Sequence, residues 1–346
     1  QHSNLVNGMN KTLITKNITC SKIYSSLSVN VTVHVIFITG IILTVCGNLA
    51  LIISISHFKQ LYTPSNVLIL SMAFADLIIG IFNMPVQFFK TTEVCWYKST
   101  LLCFSSYFTT FSITNISVYH LLLLAGDRYY AVCYPLFYSM KVTMKVIWTL
   151  LAIVWSLSIF YSYCLLLIYF ALVFSCTGYC SKLRNFFVIF IDYVLTFIIP
   201  FSVMIGLYTK ILFVAKIHRN KINFGEQNGL SSKQKADKLS FKRQYKAMKT
   251  VGTLILVFLA CWTPYYLFHF AASFVALSRG LLYALEWTAL FNSSFNPLIY
   301  GFFYPWFRKA FKIFLTSAMA KVALVYVCVR SACHPFQRLS LPRTLC

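Results

Sequence analysis

The chain has 346 residues, of which 59% are hydrophobic and 11% charged, and its mean hydropathy is +0.73. Soluble domains run nearer ~45–50% apolar and ~25% charged, so an ordinary water-soluble globular fold is excluded. The formal charge of +23, from 30 Lys and Arg against 7 Asp and Glu, would suit a nucleic-acid binder, but the placement of the cations speaks against one.

Seven apolar runs, 33–57, 66–89, 103–125, 146–174, 185–214, 250–276 and 281–304, each reach the ~20 residues that a helix needs to cross a bilayer. Backbone polar groups cannot go unpaired in lipid, and the alternating pattern of a membrane barrel strand is absent, so these runs are expected to be helices. The predicted architecture is an all-α membrane protein: an N-terminal segment 1–32, a seven-transmembrane-helix bundle 33–304, a short amphipathic eighth helix 305–316 and a tail 317–346. Lys11, Lys16, Lys22, Lys90, Lys98, Lys182, Arg184 and Arg279 fall on one side of this bundle, leaving 22 of the 30 cations on the other or at its helix ends. The cation-rich side is expected to be cytoplasmic. The lysine-rich stretch 233–249 then extends the sixth span into the cytosol, and no nucleic acid is called for.

In the N-terminal segment, Asn10-Lys11-Thr12, Asn17-Ile18-Thr19 and Asn30-Val31-Thr32 are acceptor sequons on the side already placed outside. Asn10, Asn17 and Asn30 are therefore candidate glycosylation sites, whereas the sequons at Asn115 and Asn292 fall inside spans. Cys20, Cys103, Cys176 and Cys180 also lie on the outer side, where disulfides persist.

Polar residues inside the spans carry most of the functional information, because a carboxylate at mid-bilayer costs ~2.5–3.5 kcal/mol on insertion scales. Gly47-Asn48 lies in the first span, Asp76 in the middle of the second, and Asp127-Arg128-Tyr129 at the inner end of the third. Trp155 follows in the fourth and Pro200 in the fifth. Phe258-Leu259-Ala260-Cys261-Trp262-Thr263-Pro264 lies in the sixth and Asn296-Pro297-Leu298-Ile299-Tyr300 in the seventh. Asp192 stands eight residues before Pro200, about two turns toward the outside. Glu286, Leu290, Ser293, Pro297 and Tyr300 step by 4, 3, 4 and 3, which puts them on one helical face.

The ordered set of span motifs resembles rhodopsin-like G protein-coupled receptors. A narrower resemblance, to the trace amine-associated receptors, is carried by the run from Asn292-Ser293-Ser294-Phe295-Asn296-Pro297 through Tyr304-Pro305-Trp306-Phe307, by Tyr129-Tyr130-Ala131-Val132-Cys133-Tyr134-Pro135-Leu136 and by Cys176-Thr177-Gly178-Tyr179-Cys180. It covers about residues 5 to 315, and the tail departs from the pattern from Val322 on.

The resemblance implies a plasma-membrane receptor for a small amine, with the N-terminus outside, placed in olfactory neuron cilia. Its implied partner inside is a stimulatory heterotrimeric G protein that raises cAMP. It pairs Cys103 with Cys180 and Cys20 with Cys176, the alternative being a free Cys20.

Most aminergic receptors carry an ammonium-binding Asp seven residues after the third-span cysteine, where this chain has Thr110. A hydroxyl cannot supply the charge that compensates a desolvated ammonium. A fish-type subset of the family looks similar in lacking that acid while keeping one on the fifth span, which makes Asp192 the expected anchor. The competing reading is a buried acid satisfied by a neighbouring tyrosine or threonine. Glu286 either faces the pocket, where with Asp192 it would hold both ends of a diamine or polyamine, or pairs with Lys90, Lys98 or Arg279 at the interface. Thr114, Phe197, Trp262, Tyr265, Tyr266, His269 and Trp287 are expected around the ligand, aromatic faces being favourable to cations.

For transmission, the resemblance implies a sodium ion at Asp76, Ser117, Asn292, Ser293 and Asn296, with Asn48 beside them. It gives Trp262 and Phe258 a pivot at Pro264, and implies that Asp127, Arg128, Tyr129, Tyr208 and Tyr300, with Asn296 and Pro297, rearrange to admit the G protein. No acid, His and nucleophile converge on a catalytic motif, so the chain is expected not to be an enzyme. The alternative function is a rhodopsin-like receptor for a non-amine small ligand; a transporter or channel lacks support for want of an internal repeat.

Overall fold

The computed structural model describes residues 27–92, 100–173, 186–227, 232–272, 274–275, 278–304, 307–309, 311–312 and 316. Its regular elements there are helices: α1 Leu27–His57, α2 Pro64–Ile78, α3 Met84–Thr92, α4 Thr100–Cys133, α5 Pro135–Lys141, α6 Met144–Val173, α7 Phe186–Tyr193, α8 Ile199–Gln227, α9 Ser232–Ala271 and α10 Arg279–Phe303. A π-helical turn, Ile79–Asn83, joins α2 to α3 as the second span, and another, Val194–Ile198, joins α7 to α8 as the fifth. With α1, α4, α6, α9 and α10 as the first, third, fourth, sixth and seventh spans, the expected seven-helix bundle is present among the described residues.

The helix ends follow from local chemistry. Thr63 caps the second span, accepting from the Asn66 N–H with Pro64 at the first turn, and Ser278 caps the seventh by accepting from the Leu281 N–H. Both π turns end two residues before a proline, Pro85 and Pro200. A proline has no N–H to give to the carbonyl one turn back, and a π turn re-pairs the backbone around that gap.

Several helices outrun the expected spans. The first begins at Leu27, so Asn30 lies within helical backbone, the third continues to Cys133, and the sixth starts at Ser232. Hydropathy marks the lipid-facing stretch only, while a helix persists through polar sequence into water. The eighth helix shows helical backbone at 307–309 and 311–312, with Phe307 buried and Arg308, Lys309 and Lys312 exposed. Arg308 Nη1 donates to the Gly301 and Phe302 carbonyls at 3.0 and 2.9 Å, closing the C-terminal end of the seventh span. Asn10, Asn17, Cys20, Cys176, Cys180 and the tail 317–346, apart from its neighbour at 316, lie outside the described residues, and for Cys103 only the helical backbone is described.

Among the described residues, six of the helices are long and apolar enough to cross a membrane. The seventh is interrupted by Glu286, Asn292, Ser293, Ser294 and Asn296. Large apolar side chains such as Leu157, Phe160, Phe213 and Leu256 are exposed around the bundle, as a lipid-facing belt requires.

The third span is the hub, packing against the second, fourth, fifth and sixth. Polar contacts pin the spans in register: Thr44 Oγ1 shares a hydrogen bond with Ser294 Oγ, and Asn48 Nδ2 donates to the Ser293 carbonyl at 3.0 Å. Buried His120 approaches Ser71 Oγ at 2.8 Å, and Trp155 Nε1 donates to the same oxygen at 3.1 Å, tying the second, third and fourth spans together.

Gly47 sits where a Cβ would stand 2.8 Å from the Pro297 ring, so the first and seventh spans approach only because it has none. Gly47→Val should cost about 1–3 kcal/mol of overpacking and lower the surface-displayed fraction severalfold by cell-surface labelling. Wild-type surface levels and an unchanged melting temperature would show that this close approach is dispensable.

Candidate ligand site and signalling cluster

At the end of the bundle away from Asp127-Arg128, a cavity of about 400 Å³ opens between the second, third, fifth, sixth and seventh spans. Its size is that of a small-molecule site. Asp192, Thr110, Trp262, Tyr265, Tyr266, His269 and Glu286, all expected around a ligand, line it together.

Asp192 lies on α7, just before the π turn, and the extra residue of that turn swings it back by about 100° relative to a continuous α-helix. Its Oδ1 accepts from the Tyr161 hydroxyl at 2.8 Å, and its backbone carbonyl accepts from Thr196 Oγ1 at 2.7 Å. The acid is thus held by a neutral tyrosine and still faces the cavity, and among the described residues it has no cationic partner. A hydroxyl orients a carboxylate without neutralising it.

Glu286 faces the same cavity from the seventh span, accepting from Gln87 Nε2 at 2.5 Å, with His269 Nε2 3.6 Å from its other oxygen. His269 itself lies 4.2 Å, centroid to centroid, from Tyr265. Thr110 Oγ1 donates to the Ser106 carbonyl at 2.7 Å and accepts from Asn83 Nδ2 at 3.2 Å, so the usual anchor position is a neutral, internally satisfied hydroxyl.

Three expected lining residues are placed elsewhere. Trp287 is buried with its ring stacked on Phe37 at 3.7 Å and its Nε1 donating to Thr91 Oγ1 at 3.0 Å, because it lies about 100° around the helix from Glu286. Thr114 is a turn deeper than Thr110 and is not among the lining residues. Phe197 packs behind the wall, 4.7 Å from Tyr266 and 4.6 Å from Phe201.

Conversely, the second-span residues Asn83, Gln87 and Lys90 line the cavity, although Lys90 reads in the sequence as an outer-side cation. Their 4 and 3 spacing on one face was the available signal. Tyr161 had no signal, since nothing in the fourth span marks it as the partner of an acid 31 residues later.

Below the cavity an unbroken run of rings, Tyr266, Trp262, Phe258 and Phe201, leads inward past Pro264 with centroids 5.5 to 5.9 Å apart. At mid-bundle, fully buried Asp76 accepts from Ser293 Oγ and Asn296 Nδ2, both at 2.7 Å. Asn48 Oδ1, Ser117 Oγ and Asn292 Oδ1 are buried and make no hydrogen bond among the described residues. The expected polar cluster therefore has spare oxygens.

At the far end Asp127 and Arg128 form an ion pair. Asp127 Oδ2 also accepts from Ser65 Oγ at 2.9 Å, Oδ1 accepts from the Tyr138 hydroxyl at 2.6 Å, and Arg128 Nη2 donates to Ser65 Oγ. Burial and the Asp127 charge push the Tyr138 phenol up to about 12, so it stays a donor. Tyr129 stacks edge-on against Tyr134. The Tyr208 hydroxyl donates to the Met248 carbonyl at 3.0 Å, bridging the fifth and sixth spans, and the Tyr300 hydroxyl is buried without a hydrogen bond among the described residues.

A seven-helix bundle with a ligand-sized cavity at one end and a locked acid-arginine pair at the other defines a transmembrane receptor. The sequence model of the rhodopsin family of 7-transmembrane receptors matches residues 47–300, and the chain belongs to that family of receptors, not enzymes. It is 36% identical over 311 residues to trace amine-associated receptor 13c of Danio rerio, covering 87% of this chain and 90% of that protein. Trace amine-associated receptor 2 of Homo sapiens is 38% identical over 316 residues, covering 86% of each, and receptor 4 of Mus musculus 35% over 303, covering 83% of this chain and 85% of that protein. Within the rhodopsin family, the chain belongs to the trace amine-associated receptors.

Proposed function

We propose that this receptor senses amines, holds the ligand ammonium on Asp192, and signals through a stimulatory G protein to cAMP. The observation that carries the reading is Asp192 itself: a carboxylate on the cavity wall, oriented by Tyr161, with no cationic partner among the described residues. A carboxylate whose hydrogen-bond partner is a neutral hydroxyl keeps its charge uncompensated in a low-dielectric wall, and a ligand ammonium supplies the missing cation. The names of the relatives agree with an amine ligand.

An outside N-terminus is supported by the excess of Lys and Arg on the opposite face and by the sequons at Asn10, Asn17 and Asn30. The resemblance of the chain to its family supports the Cys103–Cys180 and Cys20–Cys176 disulfides, the stimulatory coupling and a place in olfactory neuron cilia.

Asp76, Ser117, Asn292, Ser293 and Asn296 would hold a sodium ion in the inactive state. Their donors are all oxygens apart from the two amide nitrogens, which suits a hard cation, and three nearby buried oxygens, including that of Asn48, lack partners among the described residues. When bound, the ion would offset the buried charge of Asp76.

Activation follows from linkage: an amine that binds better when the sixth span has swung about Pro264 shifts the population toward that state. The test is a cAMP response, in cells displaying the receptor, to a panel of primary and tertiary monoamines, diamines and polyamines. A response to at least one amine is expected. Silence to the whole panel with confirmed surface display would favour a rhodopsin-like receptor for a non-amine ligand.

A further inference from the structure

The π turn Val194–Ile198, on which the facing of Asp192 depends, leaves one backbone acceptor to be matched. The Ile199 N–H donates to the Val194 carbonyl, five residues back. In an α-helix the same N–H would serve the Leu195 carbonyl. In the π register that carbonyl would look to residue 200, which is proline and has no N–H. Leu195 is therefore left without a backbone donor from its own helix, at a place where its side chain is exposed on the outside of the bundle. A carbonyl without a donor is costly there, because lipid offers none. The donor comes from the third span: the Tyr119 hydroxyl donates to the Leu195 carbonyl oxygen at 3.4 Å.

We infer that Tyr119 is a positioning residue for the ligand cavity: its hydroxyl selects the π register of the fifth span and so keeps Asp192 turned inward. The two registers differ in which carbonyl Pro200 orphans. In the α register the Ile199 N–H returns to Leu195, and the orphan is Thr196, four residues before the proline. The Thr196 carbonyl lies about 100° further around the helix, so the Tyr119 bond belongs to the π register alone. A hydrogen bond present in one of two states favours that state by its net worth, about three- to tenfold in population. Closing the π turn into α would rotate the outer end of the span by one residue. Tyr193 would take the direction of Asp192, and Phe190, now exposed and not among the lining residues, would take that of Ile189, which lines the cavity. Tyr119 thus acts on Asp192 through the backbone, unlike Tyr161, which touches the carboxylate. The register is independent of what the cavity binds, and only its consequence for amines rests on Asp192 as the anchor.

The experiment is thiol labelling of the purified full-length receptor carrying Phe190→Cys, with trimethylammonioethyl methanethiosulfonate, a permanently charged reagent that reacts from the cavity and not from the apolar surround. The rate is taken over that of the receptor with Phe190 intact, which accounts for the native thiols. Adding Tyr119→Phe removes the hydroxyl and keeps the ring, and should raise the Phe190→Cys rate about three- to tenfold by populating the α register. Pro200→Ala supplies the missing N–H to Leu195, so on that background Tyr119→Phe should change the rate by less than about twofold.

An unchanged rate in Tyr119→Phe overturns the inference, even where the melting temperature falls, since the hydroxyl would then be structural only. An equal rise on the Pro200→Ala background also overturns it, by assigning the effect to packing rather than to the Leu195 carbonyl. Asp192 could fail as the amine anchor with this labelling pattern intact, so the two readings fail separately.

Discussion

Asp192→Ala should reduce the potency of any activating monoamine by about a hundredfold or more in a cAMP dose-response, with surface display unchanged. Removing one member of a buried charge pair costs about 2–5 kcal/mol, most of it from leaving the ammonium uncompensated, and a hundredfold corresponds to about 2.7 kcal/mol. Asp192→Asn should lose nearly as much, because an amide keeps the hydrogen bond to Tyr161 but not the charge. Tyr161→Phe should be milder, about three- to tenfold, since it removes one hydrogen bond of ~1 kcal/mol that orients the acid without contributing to its charge. Thr110→Asp offers a rescue: it places an acid on the third-span wall of the same cavity and should recover part of the response in the Asp192→Asn background. Unchanged amine potency in Asp192→Ala would remove the anchor assignment outright.

The bundle was legible because lipid imposes a demand that composition alone reports: an apolar run of sufficient length must be a helix. What the sequence hid was where charge ends up once helices pack. Lys90 reads as an outer-side cation by hydropathy, yet its spacing of three from Gln87 and seven from Asn83 turns it inward onto the cavity. Trp287 shows the converse error, since aromatic residues near a pocket look alike in sequence, and one helical step decides between the cavity and the Phe37 stack. The distance of Asp192 from Pro200 sets its depth in the sequence, but its facing depends on the π turn Val194–Ile198, which only the proline two places beyond announces. Glu286 has two possible surroundings in the sequence, and the structure places it against Gln87 and His269 at the cavity, because packing rather than periodicity chooses its neighbours. The inner cluster was more legible, as the family resemblance groups Asp76 of the second span with Ser293 and Asn296 of the seventh, and those three side chains do meet.

Asp127→Ala should raise ligand-independent signalling severalfold, whereas Arg128→Ala should abolish the response to amine while leaving amine binding intact. In this structure Arg128 is held from two sides, by Asp127 and by Ser65, and Tyr138 fixes Asp127 from the third. The guanidinium is nearly buried, so removing its acid leaves a cation whose best remaining partners lie elsewhere, and the arrangement that frees it gains weight. A bias of about 1.4 kcal/mol toward the freed state multiplies its population about tenfold, enough to read as basal cAMP. Tyr208 fixes where that state must form: its bond to the Met248 carbonyl ties the fifth and sixth spans at their inner ends, and Gly252 makes room for its ring, which a Cβ would approach to 2.9 Å. If opening of the inner face breaks both the Asp127–Arg128 and the Tyr208–Met248 contacts, Asp127→Ala combined with Tyr208→Phe should exceed either change alone. Basal signalling that stays at wild-type level in Asp127→Ala, at equal surface display, would show that this ion pair is not what holds the receptor inactive.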